Sequence, residues 1–221
     1  VCLHVRDNAY LSTEYPSHDW TYHDYRNPDP STYLPAIERL GQLGFHVVRM
    51  GKHSIKWDLP TPTNFIDYSH SAVRSDFLDL FLYANCIFAI AGTTSGIDQL
   101  ASTFNKPIVV TNMVPFVEPI FAVPNILALP CLLQEEGSCR LIALSEMTKN
   151  QWGSAQAYRT RGILLKRNSQ EEICAVVEEM VQRIRGRRKY THEEAELQTQ
   201  FWRCAHKVGI SASTPPKFLS D

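Results

Sequence analysis

The feature that most constrains this chain is an alternation. Short runs of β-branched and apolar residues, too brief for helices, are separated by segments whose apolar residues recur every three or four positions. Val1–Val5, Phe45–Met50, Cys86–Ala91 and Pro107–Thr111 are of the first kind, and Tyr33–Leu43, Ser75–Asn85 and Ile97–Phe104 of the second. Strand, helix, strand in repetition predicts an α/β fold with a right-handed, mostly parallel sheet flanked by helices. Local signals agree with it. Ser75 can cap the second helix, with Asp76 and Asp79 near its positive end, and Gly44 stands where a helix from Tyr33 would stop. Beyond Val114 the pattern weakens. Gly162–Lys166 reads as one more edge strand, Ser169–Glu172 and Thr191–Glu194 read as capping boxes before two late helices, and residues 211–221 read as a frayed tail.

Composition removes several classes of function. Of 221 residues, 22 are Lys or Arg and 23 are Asp or Glu, a formal net charge of −1, so the chain has no cationic excess for a nucleic-acid backbone. The basic cluster Arg183–Lys189 reads first as a solvated helix end, and secondarily as a contact for anionic lipid or a lipid-linked acceptor. No apolar run approaches the roughly 20 residues that cross a bilayer. The six cysteines contain no C-x-x-C pair, which reads as reduced thiols in a cytoplasmic protein. The histidines and cysteines near the start lack the spacing of a metal set, so neither a metal nor another cofactor is expected. Val1 begins directly in a strand pattern, and the expectation is a fragment whose N-terminal domain lies upstream.

In an open parallel sheet, ligands lie beyond the carboxyl ends of the strands. The residues there are chemically coherent: His4, Arg6 and Asp7; Arg49 and Gly51; Asp67; then Gly92, Thr93, Thr94, Ser95 and Gly96; then Asn112. A Gly-Thr-Thr-Ser-Gly loop between strand and helix gathers backbone N–H groups and hydroxyls where an anion could be held, and equally serves as an N-cap with glycines for close packing. It lacks the P-loop lysine and the spacing of a dinucleotide fingerprint. Arg6 could grip a diphosphate, steadied by Asp7. Asp67, Ser75 and Asp76 could address a ribose or an acceptor hydroxyl. The stretch from Tyr10 to Pro30, with four tyrosines, Trp20, His18 and His23, is long and aromatic, and fits either sugar or base stacking or contact with another domain.

These residues carry a resemblance. Cys-Leu-His-Val-Arg-Asp (2–7), Tyr-Leu-Pro-Ala-Ile-Glu (33–38), Gly-Phe-His-Val-Val-Arg-Met-Gly (44–51), Asp-Tyr-Ser-His-Ser (67–71), Arg-Ser-Asp-Phe-Leu-Asp (74–79), Gly-Thr-Thr-Ser-Gly (92–96), Pro-Ile-Val-Val-Thr-Asn (107–112) and Asn-Ser-Gln-Glu-Glu-Ile (168–173) resemble the C-terminal half of a bacterial glycosyltransferase family. The resemblance implies a GT-B arrangement of two Rossmann-like domains, of which residues 1–186 would bind a nucleoside-diphosphate sugar and residues 187–221 would add a helix and tail. Arg6 is similar in placement to the diphosphate-gripping arginine of fucosyltransferase-like enzymes, whose motif also has a histidine two residues earlier. The implied activity is metal-independent transfer of a sugar to a hydroxyl on a glycan or lipid-linked glycan, in surface polysaccharide or glycoconjugate synthesis. That places the protein in the cytoplasm, with a peripheral contact at the inner membrane face as a secondary expectation. Arg6 would stabilise the leaving group, Asp7 is the reserve base, and His4, Arg49, Gly51, Asp67, Ser75, Asp76, Thr93–Gly96 and Asn112 would bind substrate. The alternatives are a nucleotide-sugar 2-epimerase-like enzyme and a noncatalytic nucleotide-binding or partner-docking domain.

Overall fold

The computed structural model describes residues 1–114, 125–143, 146 and 155–207. Six strands, β1 (Cys2–His4), β2 (Val47–Arg49), β3 (Phe65–Ile66), β4 (Ala89–Ala91), β5 (Ile108–Met113) and β6 (Ile126–Pro130), form one sheet in the order 3-2-1-4-5-6. Every neighbouring pair is parallel. This is the doubly wound, Rossmann-like order: the chain adds β2 and β3 on one side of β1, then crosses back to place β4 on the other.

Parallel strands buried on both faces read as continuous apolar runs, because alternate side chains serve opposite layers. Ile108 and Val110 point into one core with Cys2, Ala89, Ala91 and Tyr83, while Val109 points into the other with Leu3, Val47, Phe88 and Ile90. The first layer is closed by α3 (Asp76–Asn85), α4 (Gln99–Thr103) and Trp202 of α7 (His192–Lys207). The second is closed by α2 (Leu34–Gln42) and α6 (Gln170–Ile184), through Ile37, Leu40, Ile173 and Val177. Among the described residues no helix is long and apolar enough to cross a membrane.

The capping signals act as their chemistry requires. Ser75 Oγ accepts from Leu78 N at 3.2 Å, and both halves of the boxes Ser169/Glu172 and Thr191/Glu194 are made. Phe45 N donates to Leu40 O at 2.9 Å and Gly44 N to Gly41 O at 3.0 Å, the paired bonds that end α2. Of the basic cluster, Arg183 and Arg188 pair with Glu179 and Glu194, and Arg185 donates to Leu43 O at 2.9 Å. Cys2, Cys86 and Cys131 are buried free thiols, whereas Cys139 is exposed.

Three expectations require correction. Gly162–Lys166 does not extend the main sheet: β8 (Ile163–Lys166) pairs antiparallel with β7 (Leu132–Glu135) in a separate two-stranded sheet. This has its own small core of Cys131, Leu133 and Tyr158, the last on α5 (Ala155–Thr160), against Tyr25. Strands β6 and β7 lack turn residues around Cys131 beyond Pro130, so the run Ile126–Leu133 gives no boundary to read. The segment from Tyr10 is not wholly irregular, since α1 spans Ala9–Glu14 and 3₁₀ turns follow at Thr21–Arg26 and Pro30–Tyr33. The helix after β4 starts at Gln99 rather than Ile97, because Gly96–Asp98 form 3₁₀-type turns. The tail at 211–221 lies outside the described residues.

One buried polar cluster ties the layers together. Tyr33 OH lies 2.7 Å from Thr111 Oγ1 and accepts from Asn112 Nδ2 at 3.1 Å. Asn112, at φ 49°, exchanges two bonds with Asn168, its N–H donating to Oδ1 at 2.5 Å and its Oδ1 accepting from Asn168 N at 2.9 Å. Burial pushes the Tyr33 phenol up to about 12. Tyr33→Phe should lower unfolding stability by about 1–3 kcal/mol in a denaturant titration, because buried Asn112 and Thr111 are left short of a partner.

Candidate functional site

The switch in winding direction between β1 and β4 opens a crevice at their carboxyl ends, and a cavity of about 660 Å³ occupies it. Gly92, the first residue after β4, permits this arrangement: a Cβ there would lie 3.1 Å from Val5 Cα and 3.0 Å from Tyr33 OH. The cavity is walled by the residues after β1, by Gly51 and Lys52 after β2, by Arg74 and Asp79 at the start of α3, and by Thr94–Gly96 after β4.

His4 ends β1 with its ring against the loop after β4. Ser95 Oγ donates to Asp98 Oδ2 at 2.7 Å and lies 3.0 Å from His4 Nδ1, while the same carboxylate oxygen is 3.4 Å from that nitrogen. An ionised carboxylate only accepts, so Ser95 gives its proton to Asp98 and receives one from His4 Nδ1–H. Asp98 is 2% exposed and takes a further, long bond from Tyr83 OH at 3.5 Å. This fixes the tautomer and leaves His4 Nε2 with no hydrogen-bond partner among the described residues. Gly51, at φ 143°, keeps the space beside the imidazole open; a Cβ there would meet Ser54 Oγ at 3.3 Å.

Arg6, two residues on, shares the face of His4. Its Nη1 donates to Asn27 Oδ1 and, at 3.4 Å, to His23 O, and it makes no ion pair among the described residues. Its pKa is held below the ordinary arginine value, first by burial and then by the neighbouring Arg26 guanidinium. Arg26 Nη2 donates to Thr94 O at 2.5 Å and to Thr94 Oγ1 at 2.7 Å, fixing the loop after β4. Arg6 and Arg26 both line the cavity, and two guanidinium groups on its wall favour an anion there. Elsewhere on the wall the cations are paired: Arg74 with Asp79 at 2.5 Å, and Lys52 with Glu14 at 2.6 Å.

Of the residues singled out in the sequence, His4, Arg6, Asp7, Gly51, Thr94, Ser95 and Gly96 line this cavity. The others do not. Arg49 is fully buried, donating to Asp67 at 3.3 Å and to Ile55 O at 2.5 Å, with Asp7 3.9 Å away and its guanidinium 4.6 Å over the Trp57 ring. Asp67 is engaged by Arg49 and by His70 at 3.0 Å. Asp7 favours the Arg6 cation by its charge but makes no hydrogen bond to it; its oxygens accept from Ala9 N at 2.9 Å and Ile55 N at 2.8 Å. Thr93 is buried with its hydroxyl unpartnered among the described residues, and Asn112 belongs to the Tyr33 cluster. Ser75 is the cap of α3, and the Asp76 carboxylate points to solvent beside Arg74.

Sequence reasoning missed Arg26, Arg74, Asp98 and the cavity-facing role of Asp79. The α3 periodicity could have found Asp79, since it lies four residues before Tyr83 on the buried face of the helix. Arg26 gives no such signal, because it stands in an aperiodic segment. Comparison with family models, curated proteins and solved structures found no match.

Arg49→Ala should destabilise the fold by about 3 kcal/mol or more, because it leaves a cavity and strips Asp67 and Asp7 of their shared cation. A thermal melt checks this, with a fall of several degrees expected.

Proposed function

We propose that this chain binds a nucleoside-diphosphate sugar in the crevice between β1 and β4 and serves glycosyl transfer to a hydroxyl acceptor. The observation that carries the reading is Arg6, a cation without a carboxylate partner among the described residues, on the wall of a switch-point cavity. The resemblance of the surrounding motifs to a bacterial glycosyltransferase family points the same way.

In this reading the diphosphate lies against Arg6 and the Ser95–Gly96 loop, and Arg26 acts by holding that loop through Thr94. As transfer proceeds, the bond between the anomeric carbon and the diphosphate breaks, and its electron pair moves onto the phosphate oxygen. The acceptor oxygen forms the new bond, and its proton passes to water or to the departing diphosphate, which has gained the electron pair. Arg6 faces the oxygen where charge develops, and such stabilisation raises the rate more than equal binding of substrate and transition state would. With Nδ1 carrying the proton, the oriented Nε2 of His4 accepts, and so suits a ribose or sugar hydroxyl of the ligand rather than its phosphate oxygens. Asp7 is poorly suited as a base, since both its oxygens already accept backbone N–H bonds.

Calorimetric titration with UDP, GDP, dTDP and CMP tests the reading. One diphosphate should bind saturably, and Arg6→Ala should weaken it about tenfold or more, the loss of one charge-assisted hydrogen bond. Ser95→Ala should weaken it less, by freeing the His4 ring. Binding that is indifferent to Arg6→Ala would overturn the assignment.

A further inference from the structure

The segment between β1 and α2 carries a ring surface that meets the donor site only at His23. Tyr15, His18, Trp20, Tyr22 and His23 form a connected set of rings. Trp20 is at its centre: 5.6 Å from His18, 6.1 Å and nearly parallel to His23, and 6.1 Å edge-on to Tyr15. Its indole N–H donates to Tyr15 O at 3.1 Å, and Asp19 fixes the turn by accepting from Thr21 N at 2.9 Å. Tyr15 is 51% exposed and Tyr22 45% exposed. Aromatic side chains held in place by one another and left facing water are a recognition surface rather than a core. His23, at one end of the set, lines the cavity beside Arg6.

We propose that this ring cluster is a carbohydrate-binding platform that seats the acceptor glycan at the mouth of the donor cavity. The inference rests on the transferase reading for its place in a reaction, but its evidence is independent. Residues 9–25 contain three carboxylates, Glu14, Asp19 and Asp24, and no Lys or Arg. Glu14 is paired with Lys52, so the ring surface keeps Asp19 and Asp24 and offers no cation of its own to a polyanion or an anionic lipid. A neutral sugar meets the electron-rich ring faces with its C–H groups and the carboxylates with its hydroxyl donors. The rings pack against one another and offer an outer face, which suits the broad face of a pyranose. Continuity through His23 brings an acceptor hydroxyl on this platform toward the cavity that would hold the donor.

The test uses the full chain labelled with 5-fluorotryptophan, whose Trp20 resonance is assigned by comparison with Trp20→Phe. Cellotetraose, maltotetraose and chitotetraose are titrated separately, with hexalysine as a cationic control and UDP as the cavity ligand. At least one tetrasaccharide should shift the Trp20 signal saturably. In calorimetry, binding should weaken about tenfold or more in Trp20→Ala and stay within about threefold in Trp20→Phe, because the second keeps a ring. Tyr22→Ser, at a more exposed ring, supplies a second variant should Trp20→Ala unfold the turn.

No shift of Trp20 with any of the three saccharides, or a shift with hexalysine alone, overturns the platform. UDP binding in that case would leave the donor reading standing. Saccharide binding through Trp20 in a protein that binds none of the nucleotides would support the platform and overturn the transferase reading.

Discussion

The buried guanidinium of Arg49 is the constraint on which the ligand-facing end of this molecule depends. A charge with no exposure must be answered by partners, and the answer comes from three directions: Asp67 after β3, Asp7 after β1 and the Ile55 carbonyl after β2. Three strand ends are thereby fixed to one point. Asp7 then organises its own neighbourhood, accepting from Ala9 N to start α1 and from Ile55 N to hold the loop after β2. Arg6 and Asp7 both border the crevice, but with Asp7 committed to backbone N–H groups it is Arg6 that keeps its charge for a ligand.

The crevice itself follows from topology. Placing β4 beside β1 rather than beside β3 brings together two segments more than eighty residues apart, and Ser95 meets His4 only for that reason. Asp98 and Ser95 orient the imidazole from one side, while Arg26 fixes Thr94 from the other. The loop after β4 is therefore held at both ends before any ligand arrives, which lowers the entropic cost of ordering it on binding. Its rigidity comes from side-chain bonds more than from the helix that follows, since α4 has five residues and begins only at Gln99.

Local chemistry made the helices readable. Ser75, Ser169 and Thr191 each stand three residues before the N–H they cap, whereas the division of Ile108, Val109 and Val110 between two cores came only with the structure, where adjacent strand residues face opposite layers. The second sheet escaped notice for a physical reason. Its strands β7 and β8 come from segments about thirty residues apart and bury only a small cluster around Leu133 and Tyr158, so neither has a strong pattern of its own. At the site, the strand-end rule located His4, Arg6, Gly51 and Thr94–Gly96. It also gathered Arg49, Asp67 and Asn112, because polar residues at strand ends serve either a ligand or the fold, and the sequence does not distinguish the two.

The sequence by itself determined the class of fold, the helices with their caps, and a set of polar residues at the carboxyl ends of parallel strands, because each of these depends on spacing along the chain. Only the tertiary structure decided which polar groups are spent. Arg49 is consumed by Asp67 and Asp7, Asn112 by Tyr33 and Asn168, whereas Arg6 has no carboxylate and His4 Nε2 no partner among the described residues. Whether a charge is satisfied depends on neighbours brought close by folding, and that distance is not written in the order of the residues.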